Sequence, residues 1–209
     1  MDNLYYISQG NTPNEHLINI LNVCKAGCKL IQLRLKNTSL NIYKITAKEA
    51  KVICDSYNAK LFINDNIEVA RFAETTGVHL GKTDVSVKEA RAFLGNDMII
   101  GGTANTIEDC EALIKSGADY IGLGPYQFTS TKDKLSPILG IEGFKAIANS
   151  LKKNNYQIPV YAIGGIKTEH VQALLDVNIF GIAVSGILTN QKDLKNEVEK
   201  LKAILQPQN

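Results

Sequence analysis

The sequence predicts an α/β fold, namely a single-domain (β/α)8 TIM barrel over residues 1–209. Short apolar runs rich in β-branched and aromatic residues recur along the chain, and a longer segment with helical periodicity follows each of them. Such alternation favours a parallel sheet with right-handed crossovers, either as an open doubly wound sheet or as a closed barrel. The open sheet usually has fewer strands and often a glycine-rich first turn, whereas QGNTPN follows the first predicted strand. The closed barrel, whose lower size limit is about 200 residues, is therefore the expected architecture.

Each element rests on periodicity and on the residues at its ends. The predicted strands cover 4–8, 30–34, 61–65, 77–80, 98–102, 119–124, 159–164 and 181–186. The predicted helices cover 14–26, 40–57, 66–75, 86–93, 106–116, 141–153, 168–176 and 191–204. Helix starts are marked by the capping signals Thr12-Pro13, Ser86, Thr106 and Thr168. Helix ends are marked by glycines expected in the left-handed conformation: Gly27, Gly77, Gly95 and Gly117.

Composition and charge narrow the class of protein. Hydrophobic residues make up 44% and charged residues 21% of the chain, as in a globular domain with one sizeable core. The 23 basic and 21 acidic residues nearly balance, so no nucleic-acid or membrane partner is indicated. The amino terminus lacks a signal-peptide pattern, which predicts a cytoplasmic protein with reduced, packed cysteines: Cys24, Cys28, Cys54 and Cys110. Of the histidines, His79 is expected to pack inside a strand, and His16 and His170 to lie on helix surfaces.

Polar residues and glycine turns collect where the predicted strands end, which is where the active site of such a barrel forms. They are Gln32, Arg34, Lys36, Asn64, Asp65, Asp84, Thr103, Asn105, Thr129, Thr131, Lys132, Gly164, Gly165, Ser185 and Gly186. Singly, each has an ordinary explanation. A lysine can be a solvated surface charge, Asn64-Asp65 can form a turn or helix cap, and Asp84 can cap the next helix. Their joint placement on one rim indicates a catalytic barrel instead.

These residue types suit substrates with negative charge. Arg34, Lys36 and Lys132 can neutralise a polyanion. Asp65 and Asp84 end consecutive strands, so they can share Mg²⁺, which takes one or two carboxylates and bridges to substrate phosphates. The glycine turn after strand seven and the Ser-Gly turn after strand eight occupy the usual phosphate site of such barrels. Two anion sites with a metal between them predict one phosphorylated and one diphosphorylated substrate.

Six segments spread over nearly the whole chain form a recognisable set. They read IQLRLK, FINDN, GVHLGKTD, GADYIGLGPYQFTSTKDK, PVYAIGGI and GIAVSGI. Together they resemble the thiamine phosphate synthase family. The resemblance implies an Mg²⁺-dependent transferase that joins hydroxymethylpyrimidine diphosphate to thiazole phosphate, giving thiamine phosphate and pyrophosphate. It also implies a dissociative path, in which pyrophosphate leaves first and the thiazole nitrogen traps a pyrimidine cation.

The resemblance assigns roles to the rim residues. Arg34, Lys36, Asn64 and Lys132 would hold the diphosphate, and Asp65 and Asp84 would hold Mg²⁺. Gln32 would contact the pyrimidine, Thr103 the pyrophosphate, and Thr129 and Thr131 the thiazole phosphate or the diphosphate. Gly165, Ser185 and Gly186 would bind the thiazole phosphate. The residues implied in catalysis are Arg34, Lys36, Asn64, Thr103 and Lys132.

Three positions depart from the family pattern: Asn66 stands where arginine is usual, Thr103 where serine is common and Asn105 where histidine is common. Threonine keeps the hydroxyl group, so its role is expected to survive. Asn66 and Asn105 leave open a non-catalytic thiamine-precursor binding or regulatory protein. A thiazole tautomerase-like isomerase is the other alternative, and the absence of the histidine weakens it. The Asp65/Asp84 pair argues against both, because neither uses a metal. The expected partners are thus the two small-molecule substrates, and an exposed apolar helix face could support a homodimer.

Overall fold

The structure is a closed parallel barrel surrounded by helices. The computed structural model describes residues 1–129 and 136–206. Within these ranges, eight strands pair in sequence order, and β8 closes the barrel on β1. Their bounds are β1 Leu4–Ile7, β2 Leu30–Leu33, β3 Lys60–Asn64, β4 Gly77–Leu80, β5 Ile99–Ala104, β6 Tyr120–Leu123, β7 Val160–Ile163 and β8 Gly181–Val184. The predicted (β/α)8 TIM barrel is confirmed, while the assignment of residues 1–209 to a single domain stays a prediction.

Helices connect the strands on the outside of the barrel. Their bounds are α1 Pro13–Lys25, α2 Leu40–Ser56, α3 Ile67–Phe72, α4 Val87–Leu94, α5 Ile107–Lys115, α6 Gly140–Lys153, α7 Val171–Asp176, α8 Gly186–Thr189 and α9 Leu194–Leu205. A 3₁₀ turn over Thr168–His170 leads into α7. Each predicted helix is present within a few residues of its expected bounds. Helix α8 was not predicted, because its four residues, GILT, continue the apolar run of β8.

The predicted strands extend too far mainly at their carboxyl ends. Ser8, Arg34 and Asp65 close predicted strands, yet each lies just beyond an observed strand. Asp65 has φ of 65°, in the left-handed region that no strand residue adopts. Some polar rim residues, such as Asn64 and Thr103, lie in the last residues of a strand, and others, such as Arg34 and Asp65, follow a strand directly or within one residue.

Aromatic rings fill the interior of the barrel. Tyr5, Phe62, Tyr120 and Tyr161 are at most 1% exposed, and their ring centroids lie 5.5–6.0 Å apart in edge-to-face geometry. Gly101 makes room for this cluster, since a Cβ there would lie 2.1 Å from the Tyr120 ring. The rings fill the barrel below the carboxyl ends of the strands, so the interior is a packed core and not a channel.

Gly77 departs from the expected helix-end role. The other predicted positions, Gly27, Gly95 and Gly117, do adopt positive φ. Gly77 instead lies within β4, and the left-handed residue after α3 is Glu74, with φ of 52°. A Cβ on Gly77 would lie 2.1 Å from the Ile99 carbonyl oxygen and 2.7 Å from the Phe62 ring. Close packing, not backbone conformation, requires glycine at this position.

The outer surfaces of the barrel and its helices form a second part of the core. All four cysteines are free and buried, which confirms the packing role predicted for them.

No helix within the described ranges is long and apolar enough to cross a membrane. On α2, Ile45 and Val52 are 60% and 66% exposed. The homodimer that such a face could support stays a prediction.

Candidate active site

A cavity of about 1440 Å³ opens at the carboxyl ends of the strands. Its lining includes every predicted site residue within the described ranges: Gln32, Arg34, Lys36, Asn64, Asp65, Asp84, Thr103, Thr129, Gly165, Ser185 and Gly186. The other two, Thr131 and Lys132, lie in residues 130–135, outside the described part of the chain. The barrel thus brings residues from seven strand ends to one space, while their individual roles stay predictions.

Two carboxylates face each other on one side of this cavity. The carboxyl groups of Asp65, after β3, and Asp84, after β4, are close enough to shift each other's pKa, and Lys36 forms an ion pair with Asp65. Burial raises the pKa of Asp65, but its interactions with Asp84 and with the Lys36 ammonium outweigh burial and hold that pKa below its ordinary value. Burial and the neighbouring Asp65 hold the pKa of Asp84 above its ordinary value. Such a pair retains a proton or takes up a cation in its place.

The turn after β4 positions Asp84. Its Oδ2 accepts the backbone N–H of Gly81 at 2.6 Å, which closes the turn. Helix α4 is capped by Ser86, which forms a reciprocal capping box with Glu89. Asp84 is therefore not needed as a helix cap, and its carboxyl group is turned to Asp65.

Asn66 caps the amino terminus of helix α3. Its Oδ1 accepts the backbone N–H of Val69 at 2.9 Å and so caps α3. Arginine, which the family usually has at this position, carries only donors and could not accept this hydrogen bond. The cap frees neighbouring Asp65 from the helix-capping role that the sequence left open for it.

A chain of hydrogen bonds crosses the floor of the cavity. Gln32 Nε2 donates to the Tyr5 hydroxyl at 3.1 Å, which lies 3.2 Å from the Tyr120 hydroxyl. The Tyr120 hydroxyl lies 3.1 Å from His79 Nδ1, and His79 Nε2 lies 3.0 Å from Thr103 Oγ1. Burial raises the pKa of both tyrosines, so their hydroxyls stay protonated. The chain joins two predicted substrate-binding residues, Gln32 and Thr103, through three buried side chains.

His79 is packed, as expected, but it also borders the cavity. It is 8% exposed and its ring stacks on Tyr120 with centroids 5.5 Å apart. Sequence reasoning missed its contact with Thr103. That contact depends on the register in which His79 pairs with Gly101 of β5, because this pairing sets His79 beside the following residues of that strand.

Glycine turns form the opposite side of the cavity, after β7 and β8. Gly164 and Gly165 have φ of 83° and 71°. A Cβ on Gly165 would lie 2.7 Å from the Phe128 carbonyl oxygen, so only glycine fits there. Ser185 precedes α8 and donates from Oγ to Gln9 Oε1 at 3.1 Å. This corner presents backbone and small polar groups, which suits an anion.

Asn105 braces the long loop that follows β6. It is 4% exposed, and its Nδ2 donates to the carbonyl oxygens of Gly124 and Pro137, each at 2.9 Å. These two residues flank the stretch that contains Thr129. Asn105, which stands where the family commonly has histidine, therefore forms hydrogen bonds that satisfy its buried amide group.

The expectation that His16 lies on the surface is wrong. The ring is 4% exposed, with Nδ1 2.7 Å from Ser8 Oγ and Nε2 3.1 Å from the Gly10 carbonyl oxygen. His170, also expected at the surface, is half-buried. Sequence reasoning also missed Ser8 and Gln9, which line the cavity. Their position at the end of the first strand was the available signal, because polar residues at the other strand ends also line the cavity.

A closed (β/α)8 barrel with a polar cavity at the carboxyl ends of its strands is typical of one class of protein, the TIM-barrel enzymes. The family model described as thiamine monophosphate synthase matches residues 4–188. The chain belongs to the thiamine monophosphate synthase family, as its sequence resemblance predicted.

Individual relatives agree with this assignment. The thiamine-phosphate synthase of Flavobacterium johnsoniae is 48% identical over 95% of this chain and 93% of that protein. That of Bacteroides thetaiotaomicron is 41% identical over 96% of both. Among solved structures, thiamine phosphate pyrophosphorylase from Pyrococcus furiosus superposes with a TM-score of 0.83 at 27% identity, covering 97% of this chain and 95% of the other. The chain is thus a transferase of thiamine biosynthesis.

Proposed function

We propose that the chain joins hydroxymethylpyrimidine diphosphate to thiazole phosphate, forming thiamine phosphate and releasing pyrophosphate. One observation carries the proposal: a carboxylate pair with adjacent cations lies across the barrel from a glycine-rich corner, within one cavity. The cavity, about 1440 Å³, is larger than the roughly 300–1,000 Å³ typical of a site for one small ligand. Two substrates therefore fit side by side.

The diphosphate is assigned to the side formed by β2, β3 and β4. Arg34 and Lys36 follow β2, and Asn64 ends β3. A guanidinium group binds phosphate oxygens in pairs, while lysine acts as a point charge and the Asn64 amide as a further donor. Thr103 adds a hydroxyl from β5, and Lys132 is proposed to add a third cation. Together these groups would stabilise the departing pyrophosphate.

The Asp65/Asp84 pair fits Mg²⁺. Hard carboxylate oxygens are its preferred protein ligands, and a cation would relieve the crowding that raises the pKa of Asp84. The described residues contain no group of three or more His, Cys, Asp or Glu side chains placed to hold a metal. Water and substrate phosphate oxygens would therefore complete the coordination, as Mg²⁺ commonly requires. When bound, Mg²⁺ would neutralise charge on the leaving diphosphate.

The thiazole phosphate is assigned to the corner formed by Gly165, Ser185 and Gly186, with Thr129 above it. The pyrimidine is assigned to Gln32, whose side chain is 2% exposed and held by the Tyr5 hydroxyl. A fixed amide presents one donor and one acceptor in a set orientation, which suits an aminopyrimidine edge. The two rings would then meet near the centre of the cavity.

The reaction needs little proton chemistry. The bond between the pyrimidine methylene carbon and the diphosphate oxygen breaks, and its electron pair leaves with the oxygen. The thiazole nitrogen then donates its lone pair to the methylene carbon. Because neither step transfers a proton, the protein has to supply positioning, cations at the leaving group and exclusion of water.

A turnover assay tests this proposal. Purified protein is mixed with both substrates and Mg²⁺, and thiamine phosphate is measured by the fluorescence of its oxidised form. We expect product that requires both substrates and the metal. Interconversion of thiazole tautomers without diphosphate would indicate the isomerase instead. Binding of both ligands by folded protein without turnover would indicate a binding or regulatory protein. A cytoplasmic location stays a prediction.

A further inference from the structure

Helix α1 holds the loop after β1 by side-chain hydrogen bonds to its backbone. Glu15 Oε2 accepts from Asn11 N at 2.7 Å, His16 Nε2 meets the Gly10 oxygen at 3.1 Å, and Asn19 Nδ2 donates to the Gln9 oxygen at 2.7 Å. Three consecutive loop residues are thereby fixed from one helix. The loop itself lines the cavity through Gln9, Gly10 and Asn11.

The partners of His16 determine its protonation. A carbonyl oxygen can only accept, so the proton of the neutral ring is on Nε2, directed to Gly10. Nδ1 is then an acceptor, and the Ser8 hydroxyl donates to it at 2.7 Å. The Ser8 oxygen in turn accepts the backbone N–H of Arg34 at 3.1 Å. Because Ser8 and His16 are 3% and 4% exposed, bulk water does not compete for these hydrogen bonds.

The same loop also reaches the other anion site. Gln9 Oε1 accepts the hydroxyl of Ser185 at 3.1 Å, while the Gln9 backbone is held by Asn19. One short loop therefore touches both Arg34, assigned to the diphosphate, and Ser185, assigned to the thiazole phosphate. A change in the conformation of the loop would therefore alter the positions of both Arg34 and Ser185.

We propose that His16 is a positioning residue: in its neutral form it orders the loop after β1 and, through Ser8, aligns Arg34 with the diphosphate. The inference rests on the proposed function, because it names what aligns that site. His16 does not touch the reacting atoms in this assignment. It acts only through Ser8, Gly10 and the residues that they position.

Protonation of His16 would disturb this arrangement. The charged groups that face the ring are Glu15, on its own helix, and Arg34, at the end of β2. Burial lowers the pKa of His16, with a smaller contribution from Arg34, and this outweighs the raising effects of Gly10 and Glu15. The ring is therefore neutral near pH 7. In acid, Nδ1 becomes a donor, the Ser8 hydroxyl loses its acceptor, and a positive charge faces Arg34.

Two variants separate the two contacts of the ring. In His16→Asn, Oδ1 can replace Nδ1 and accept from Ser8, but the side chain is too short to reach Gly10. In His16→Gln, Nε2 can still donate to Gly10, but the link to Ser8 is lost. We expect His16→Gln and Ser8→Ala each to raise the KM for the diphosphate substrate roughly tenfold. His16→Asn should restore most of this loss, with a smaller change in the KM for thiazole phosphate in every case.

The pH profile provides a second readout. Native kcat/KM should fall more steeply towards acid pH than that of His16→Asn, because only the native protein has a titrating ring at this position. Both proteins use the same substrates, so substrate ionisation cancels in the comparison. Thr75→Val is the matched control: its buried hydroxyl donates to Ala70 and Gly77 at the other end of the barrel, so it should cost stability without changing KM.

Binding of inorganic pyrophosphate, measured by calorimetry, keeps the test independent of turnover. His16→Gln should weaken it roughly tenfold relative to the native protein and to Thr75→Val. Equal KM values for native protein and all His16 and Ser8 variants, or identical acid profiles, would overturn the inference. Absence of turnover in a native protein whose pyrophosphate binding still follows these expectations would refute the proposed reaction and leave the positioning role standing.

Discussion

Replacing Asp84 by asparagine should make the metal-free protein more stable and the enzyme much less active. Asparagine Oδ1 can still accept from Gly81, as Asp84 Oδ2 does at 2.6 Å, while its Nδ2 can donate to Asp65. A crowded carboxyl pair becomes an amide–carboxylate hydrogen bond, a gain of roughly 1 kcal/mol. For a protein of about 150–250 residues, this corresponds to a rise in Tm of about 2–4 °C.

The pH dependence of this gain has a definite sign. The folded-state pKa of Asp84 is raised, so in the acid range the unfolded chain releases this proton first. Between the two pKa values the folded protein holds more protons, and native stability falls as pH rises. Asparagine does not titrate, so the advantage of Asp84→Asn should grow from the acid range towards neutral pH. Asp65, whose pKa is lowered, contributes with the opposite sign in both proteins.

Thermal unfolding and steady-state kinetics test both halves of this prediction. With Mg²⁺ and pyrophosphate, the native protein should gain stability that Asp84→Asn does not, because only the native pair binds the ion well. Turnover of the variant should fall about 10²-fold or more, since a metal contributes several kcal/mol of charge stabilisation. Asp84→Ala, which also loses the Gly81 contact, should be less stable than Asp84→Asn. A variant that is destabilised without metal, or that keeps native Mg²⁺-dependent turnover, would refute the assignment of the pair.

Substitutions at four further positions test the site and the structure that supports it. Thr103→Val should lower kcat about tenfold in the turnover assay, while Thr103→Ser stays close to native, because only the hydroxyl is assigned a role. Asn105→Ala leaves two buried carbonyl oxygens without their donor, so the free energy of unfolding in urea should fall by about 1–3 kcal/mol. Gly101→Ala places a Cβ 2.1 Å from the Tyr120 ring, and overpacking should cost at least about 1–3 kcal/mol by the same measurement. Lys132→Ala should slow turnover more than it weakens thiazole phosphate binding measured by calorimetry; equal losses would move this lysine to the other substrate.

Strand positions and the rim were predictable from the sequence because both follow from local pattern. Runs such as LIQL and GIAV are buried along their whole length, and apart from Gln32 all of their residues are apolar or glycine. The polar residue after each run then falls at a carboxyl strand end, and parallel strands bring those ends together. The sequence therefore predicts that Asp65 and Asp84, which follow neighbouring strands, lie close together.

Features that leave no recognisable pattern in the neighbouring sequence were not predictable. Helix α8 is one turn long, too short for helical periodicity to register. Gly77 follows a predicted helix, so the sequence suggests a glycine that ends it. Only the positions of Ile99 and Phe62 show that glycine is required there because a side chain would not fit. His16 is buried because the loop after β1 folds back over α1, which no local pattern reveals.

In the proposed site, one cavity holds two anions at the same time, on opposite sides of the barrel. Calorimetric titration of thiazole phosphate into protein saturated with Mg²⁺ and pyrophosphate tests this arrangement. If the carboxylate side and the glycine corner are separate sites, thiazole phosphate binds with one equivalent per chain, and Ser185→Ala weakens that binding while Asp65→Asn does not. If saturation with pyrophosphate abolishes thiazole phosphate binding, the two ligands share one site and the arrangement proposed for the reaction is wrong.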